Sequence, residues 1–523
     1  MAKLHLSLTL PGAVSLGSYE GGALAALLVA AQSLQDMVVI DSIAAASAGS
    51  ITGLLTACCL AKGRDPVSIM SQAWVELDSL RALRTHEMSA PLSAAALSQM
   101  AVDVLGDQGG PPGPARPQDT GVRLSMALAS LAGLEYRLAR LERETSVDAV
   151  TYVDWYPVTI DATTTTDELL EYAQAAIASG SNAIGFPPKV VDRTKDRDAY
   201  KRAGIIDFPD SGSFWYTDGG TIDNEPLGQT IDIAPEIAPD EQRVFVLIHP
   251  EAASPQSTNR WQDTDSQPGW LQTAMRALSI SRTQSIYDDL KRLEKTNSHL
   301  VWTGRVPQAV FDGLGAGMDA AELTDAQRGT LLETLASSLA EARATIEADH
   351  ASFRSEEDIA PDPQGPGADD DRAPAGGQSP REVLADLLAT ATGLSGKSVA
   401  TVEVISPALG LDPGSTSQDL LAGAFLFHFG GFMDVRFRQS DFALGYRNMQ
   451  TWLTDDLSRY LPSGYDLGPA ITHVRDRYDQ LDWDGVRFGG ASFSSLSLRE
   501  KEQLLEVAGH TAHVAEHDLR HPG

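Results

Sequence analysis

Ser47 lies in Asp41-Ser-Ile-Ala-Ala-Ala-Ser-Ala-Gly-Ser50, an apolar run ending in small-x-Ser-x-Gly just ahead of a helical stretch. That spacing reads as a nucleophile elbow, in which a sharp strand-to-helix turn lifts the serine Oγ out of a sheet. Only small neighbours leave room for the turn and for a carbonyl above it, and Ala45 and Gly49 are the small neighbours here. Val38, Val39, Ile40 and Ile43 supply the strand, and Ile51, Leu54, Leu55, Cys58 and Cys59 recur at helical spacing behind the serine. The start of such a helix points unpaired N–H groups and its dipole at the reacting centre. In an alanine-rich chain the same pattern also fits a tightly packed helix start with no chemistry.

Two further segments complete a candidate catalytic set. Leu4-His-Leu-Ser-Leu-Thr-Leu10 alternates like a strand and runs through Pro11-Gly-Ala-Val-Ser-Leu-Gly17 into a helical pattern. A glycine-containing strand-to-helix turn offers exposed backbone N–H groups, as an oxyanion hole requires, which makes Gly12, Ala13 and Val14 the candidate donors. Downstream, Phe214-Trp-Tyr-Thr-Asp218 ends a β-rich run, and Gly219 and Gly220 let the backbone turn away. Asp218 is placed to act as general base toward Ser47.

These three segments, in this order, resemble the patatin-like phospholipase family, whose pattern is a glycine-rich turn after the first strand, then Gly-x-Ser-x-Gly, then Asp-Gly-Gly or Asp-Gly-Ala. Ala178-Ser-Gly-Ser-Asn-Ala-Ile-Gly-Phe-Pro-Pro188 is similar to the family's Ala-Ser-x-Ala-x-Pro-x-Phe-Pro-Pro segment, and Asp218 to Pro226 to its Asp-Gly-Gly-x-x-x-Asn-x-Pro. The resemblance spans residues 4–260 and resumes near residue 398. It implies an α/β fold, a three-layer α/β/α arrangement around a mostly parallel sheet with helical insertions. It also implies a serine acyl hydrolase of the phospholipase A or lipid esterase type, working through a Ser47–Asp218 dyad and an acyl-enzyme, with neither metal nor cofactor. The chain departs from the family at Ala45, where glycine is usual, and in the oxyanion turn. That turn usually reads Gly-Gly-Gly-x-Arg-Gly, against Gly12-Ala13-Val14-Ser15-Leu16-Gly17 here. Backbone donors survive side-chain replacement, but a β-branched Val14 resists a positive φ.

Two other readings stand beside this one. An ordinary α/β-hydrolase esterase would complete a Ser-Asp-His triad with His249, which follows the apolar run Val244–Ile248, although that fold places several strands before its nucleophile. A catalytically impaired patatin fold would serve as a lipid-binding or partner-binding module, because a fold alone does not fix function.

Composition fits a large globular enzyme: 523 residues, 42% hydrophobic and 7% aromatic. The excess of 71 acidic over 40 basic residues gives a formal charge of −31, which argues against nucleic acid and anionic bilayers as partners and favours lipid or ester substrates at neutral or zwitterionic interfaces. Cys58 and Cys59, adjacent in a buried helix pattern, exclude a disulfide framework. The uncharged stretch Ser42 to Ala61 is long enough to span a bilayer, but its Ser, Thr and Gly content reads as a buried helix. The N-terminus shows no signal-peptide pattern, so a cytoplasmic location is expected.

The expected organisation is a catalytic core over residues 1–300 with a helical lid insertion at about 66–146, read as helices over 66–105 and 121–146 around a Gly/Pro-rich break at 106–117. An insertion follows over 301–395, holding an acidic linker at 354–381. Residues 396–455 supply a closing strand and helix, and 456–523 a helical extension. The apolar run Phe425–Phe432 reads as a buried segment or an acyl-chain wall. His510, His513 and His517 share a helical face that reads as a solvated helix or a metal site.

Overall fold

The computed structural model describes residues 2–76, 80, 82–85, 87–106, 120–138, 147–238, 240–250, 269–355, 379–391, 399–409, 420–426, 428–483 and 485–520. A mixed, mostly parallel eight-stranded sheet is its centre. In chain order the strands are β1 (Leu4–Leu10), β2 (Val38–Ala45), β3 (Val122–Leu138), β4 (Val147–Ile160), β5 (Lys189–Asp192), β6 (Ser213–Asp218), β7 (Gln242–Ile248) and β8 (Thr401–Ile405). They lie side by side as β5-β6-β3-β2-β1-β7-β8, with β4 also paired to β3. β1 is an inner strand, parallel to β2 on one edge and to β7 on the other. Every residue of β2 is buried, as expected for an inner parallel strand covered on both faces.

Helices cover both faces. Residues Leu4, Leu6, Leu8 and Leu10 of β1 enter the core, whereas Thr9 points the other way and hydrogen-bonds Thr230 Oγ1 at 2.7 Å, on the short helix Leu227–Ile233. The core layer holds α1 (Gly17–Ser33), α2 (Ala48–Lys62), α3 (Pro66–Trp74), α4 (Ala95–Leu105) and α5 (Thr166–Ser179). Following them are α6 (Arg197–Arg202) and α7 (Leu227–Ile233), then the long helices α8 (Trp270–Ala320) and α9 (Asp325–Ser355), and α10 (Pro380–Ala391). Gly228 N–H donates to Asp289 at 2.7 Å, which ties α8 to α7 and so to the sheet. Three later helices, α11 (Val435–Asp455), α12 (Gly468–Asp479) and α13 (Leu498–Arg520), return to the body, and α11 packs along α1. The segment Val14–Ser33 is long and apolar enough to cross a membrane, but it is buried in this core. The helix expected from the Ser42–Ala61 stretch is buried as well.

One expectation fails here. Residues 122–138 are strand β3, not the second helix of a lid. Its inward residues, Leu124, Met126 and Leu128, alternate with small Ser125, Ala127 and Ala129, and both faces are covered, so the run reads as uniformly apolar and helix-favouring. The 66–105 portion does hold helices, α3 and α4. The expected strand after residue 147, the strand near residue 401 and the helix across 440–452 are β4, β8 and α11, and β8 joins the sheet parallel to β7. The Gly/Pro-rich break over 107–117, and Glu356, Glu357, Asp358, Asp362 and Asp369 to Asp371 of the acidic linker, lie outside the described residues.

Candidate active site

Strand register brings the two candidate catalytic residues together. β4 lines one edge of β3 without interruption from Val122 to Ala129, so β2 and β6 must both lie along its other edge. There Ala45 faces Met126 and Asp218 faces Leu128. β2 runs parallel to β3 and β6 antiparallel, so their C-terminal ends point at each other across a two-residue gap, about 7 Å at the usual rise per residue. Ser47, two residues past Ala45, leaves the sheet at that gap.

Ser47 does so with φ 53° and ψ −127°, a conformation that only glycine adopts without strain. It is 2% exposed, and α2 begins at the next residue. The turn closes against the end of β1: Ala46 N–H donates to the Leu10 carbonyl at 3.0 Å, and a Cβ on Gly49 would stand 2.3 Å from that same oxygen. Glycine at 49 is thus a packing necessity. Ala45 fills the preceding small position, fully buried.

Asp218 is 1% exposed. Its Oδ1 accepts the Gly220 N–H at 2.9 Å, and Gly219 allows the turn because a Cβ there would lie 2.0 Å from the Ala127 carbonyl oxygen. The C-terminal end of α5 and the residues just after it grip both candidates. Ser179 Oγ accepts the Ser47 N–H at 2.9 Å and pairs with Ser50 Oγ at 2.8 Å. The Ser181 carbonyl accepts the Asp218 N–H at 3.1 Å, and Asn182 Nδ2 donates to Asp218 Oδ2 at 3.2 Å. Sequence reasoning marked this stretch only as a motif match. The roles of Ser179 and Asn182 are set by tertiary contacts that no local pattern encodes.

In the candidate oxyanion turn Val14 takes φ 53° despite its branched side chain. The Ala13 and Val14 N–H groups have no hydrogen-bond partner among the described residues, whereas Gly12 N–H donates to the Asn224 carbonyl at 3.1 Å. Gly12 N–H thus holds the turn against the Asp218 loop. The far side of the turn is clamped by the 425–432 segment, since Ser15 N–H donates to the His428 carbonyl at 3.1 Å and Gly431 N–H to Ser15 Oγ at 3.0 Å. Leu426 and His428 also carry positive φ, 55° and 69°. Phe425, Leu426 and Phe429 are partly buried with Val14 on the rim of an apolar cluster built from Leu92, Leu97, Phe186 and Phe432 among others.

His249 stands at the end of β7, separated from β2 by β1, and its Nε2 lies 3.3 Å from Glu225 Oε1. Asp223 donates its N–H to the Gly219 carbonyl, and its Oδ1 is buried without a hydrogen-bond partner among the described residues. Burial, with Asp289 and Glu225 nearby, raises its pKa to about 7. On α13, His510 contacts the Glu87 carbonyl and His517 lies beside Asp518.

Residues 8–231 match the family model described as patatin-like phospholipase. That stretch is a patatin-like phospholipase domain of α/β fold, and it holds the end of β1, strands β2 to β6 and helices α1 to α7. Within it the ordinary α/β-hydrolase alternative falls away. No curated protein matches the chain. Among solved structures, VipD from Legionella pneumophila is similar at 16% identity and a TM-score of 0.24, covering 55% of each chain, so this chain spans about half the length of that protein.

Proposed function

We propose that this protein hydrolyses carboxylic esters of lipids through Ser47 as nucleophile and Asp218 as general base. The observation that carries the reading is the break on the β3 edge, where a strained serine and a buried aspartate meet end to end and are held by one segment, residues 179–182. Asp218 takes the Ser47 hydroxyl proton as Oγ bonds to the ester carbonyl carbon, and the tetrahedral oxyanion sits on the Ala13 and Val14 N–H groups. The carbon–oxygen bond to the alcohol then breaks, the alcohol leaving with the proton from Asp218. Water, deprotonated by the same carboxylate, releases the acyl group and restores Ser47. No step calls on a metal or cofactor. The rim of Val14, Phe425, Leu426 and Phe429 offers the acyl chain an apolar wall beside the oxyanion turn. The formal charge of −31 favours neutral or zwitterionic lipid over anionic bilayers, and a cytoplasmic location accords with two buried free cysteines.

The test is hydrolysis of a p-nitrophenyl ester series of increasing chain length, and of phosphatidylcholine vesicles, by wild type and by Ser47→Ala, Asp218→Asn and His249→Ala. The first two variants are expected to lose at least 10³-fold in kcat/KM, with His249→Ala active. Hydrolysis that survives Ser47→Ala would sink the mechanism.

A further inference from the structure

We infer that Asn182 is a positioning residue for Asp218, holding its carboxylate ionised and aimed at Ser47; this rests on the dyad reading above. The side-chain amide is fixed in orientation from both ends. Its Oδ1 accepts the Ile184 N–H at 3.0 Å, and a backbone N–H can only donate, so the NH₂ end must face Asp218. The residue is buried, 9% exposed, and the carbonyl just before it, that of Ser181, accepts the Asp218 N–H. Residues 181 and 182 thus hold the main chain and the side chain of the same aspartate.

The electrostatic consequence follows from what surrounds the carboxylate. A general base must be ionised before it can accept a proton, and burial opposes ionisation. Donors to the carboxylate offset this, among them Gly220 N–H on Oδ1 and Asn182 Nδ2 on Oδ2. The Gly220 donor is backbone and comes with the Asp-Gly-Gly turn. The Asn182 donor is a side chain, so it can be removed by substitution without altering that turn. The amide on Oδ2 resists rotation of the carboxylate about its Cβ–Cγ bond and so fixes where its oxygens stand relative to Ser47. The arrangement stabilises the anion more than the protonated acid, and its removal must therefore show in the pH dependence.

The experiment compares wild type, Asn182→Ala and Asn182→Ser, the last keeping a shorter donor, in kcat/KM against pH on a p-nitrophenyl ester. In parallel, the Asp218 carboxyl is titrated by ¹³C NMR in the Ser47→Ala background, its signal assigned by loss in Asp218→Asn. Asn182→Ala is expected to lower kcat by about 10- to 100-fold with KM within about 2-fold, and to move the acid limb up by about one pH unit. The Asp218 titration should move with it, and Asn182→Ser should recover part of both shifts. An acid limb and an Asp218 titration that stay put in Asn182→Ala, with activity still dependent on Ser47, overturn the role of Asn182 alone. Activity that persists in Ser47→Ala overturns the dyad, and the role falls with it.

Discussion

Ser47 and Val14 both adopt φ 53°, and neither is glycine. Each costs about 1–3 kcal/mol relative to relaxed backbone, a cost that the surroundings must hold in place. For Ser47 the hold is visible in the Ser179 Oγ that accepts its N–H, in the Leu10 carbonyl that takes the Ala46 N–H, and in Gly49 packed against β1. This makes the proposed nucleophile a site where function and stability pull apart. Ser47→Gly should abolish hydrolysis yet stabilise the fold by about 1 kcal/mol relative to Ser47→Ala, because glycine relaxes the same dihedrals that alanine keeps strained. Denaturant unfolding of the two variants checks this, and equal midpoints would contradict the strain. Ser179→Ala leaves the Ser47 N–H buried and unpaired, a penalty of about 1–3 kcal/mol. The expected readout is a lower melting temperature together with a 10- to 100-fold fall in kcat, while Ser179→Thr, which keeps the hydroxyl, should remain close to wild type.

At the scale of elements, β3 is the ruler along which the site is measured, since β2 ends opposite Met126 and β6 ends opposite Leu128. The sequence made β1, β2 and the start of α2 legible, because alternation, small residues at the elbow and a 3.6-residue apolar period all agree there. β3 was read as helix. Alanine and leucine favour helices, and a strand covered on both faces loses the polar alternation that would have betrayed it. The same limit hid Ser179 and Asn182, which face residues 132 and 36 positions away in the chain. The hydrogen bond from Gly12 to Asn224 is illegible for a related reason, since it is a contact across 212 residues. The ruler can be tested directly. Gly219→Ala pushes a Cβ to 2.0 Å from the Ala127 carbonyl oxygen, which belongs to the backbone of an inner strand and cannot give way. The variant should lose about 1–3 kcal/mol, seen as a melting temperature several degrees lower, with activity falling further than stability because Asp218 moves off its mark. A variant with wild-type kcat would show that the β3–β6 contact does not set the geometry of the base.

For the whole molecule, the dominant quantity is an acidic surplus of −31 together with carboxyls buried in their neutral form. Asp223 and Asp441 both have pKa values raised to about 7, in each case chiefly by burial; the Ala422 and Gly423 N–H groups that Asp441 accepts only partly oppose this. In the unfolded chain these groups ionise near pH 4. The folded state therefore holds more protons than the unfolded state between about pH 4 and pH 7. Their contribution to stability is fully present below pH 4 and is lost as pH rises through 7. Asp41 has the opposite sign: although burial opposes its ionisation, hydrogen bonds from His5 and Arg243 and their charges hold its pKa below the ordinary value, so its contribution is lost as pH falls. Self-repulsion of the surplus charge adds to the destabilisation at high pH, but it is screened by salt, whereas the buried carboxyls are not. The melting temperature should accordingly be higher at pH 5.5 than at pH 8. Raising NaCl to about 1 M, where the screening length is about 3 Å, should narrow that gap without closing it. Asp223→Asn should narrow the remainder at high salt, since the amide cannot ionise and the Oδ1 it replaces has no hydrogen bond to lose among the described residues. A gap that vanishes in 1 M salt would assign the pH dependence to surface repulsion, and one that Asp223→Asn leaves unchanged would place the buried protons on the other carboxyls that burial raises, Asp441, Glu20 and Asp289.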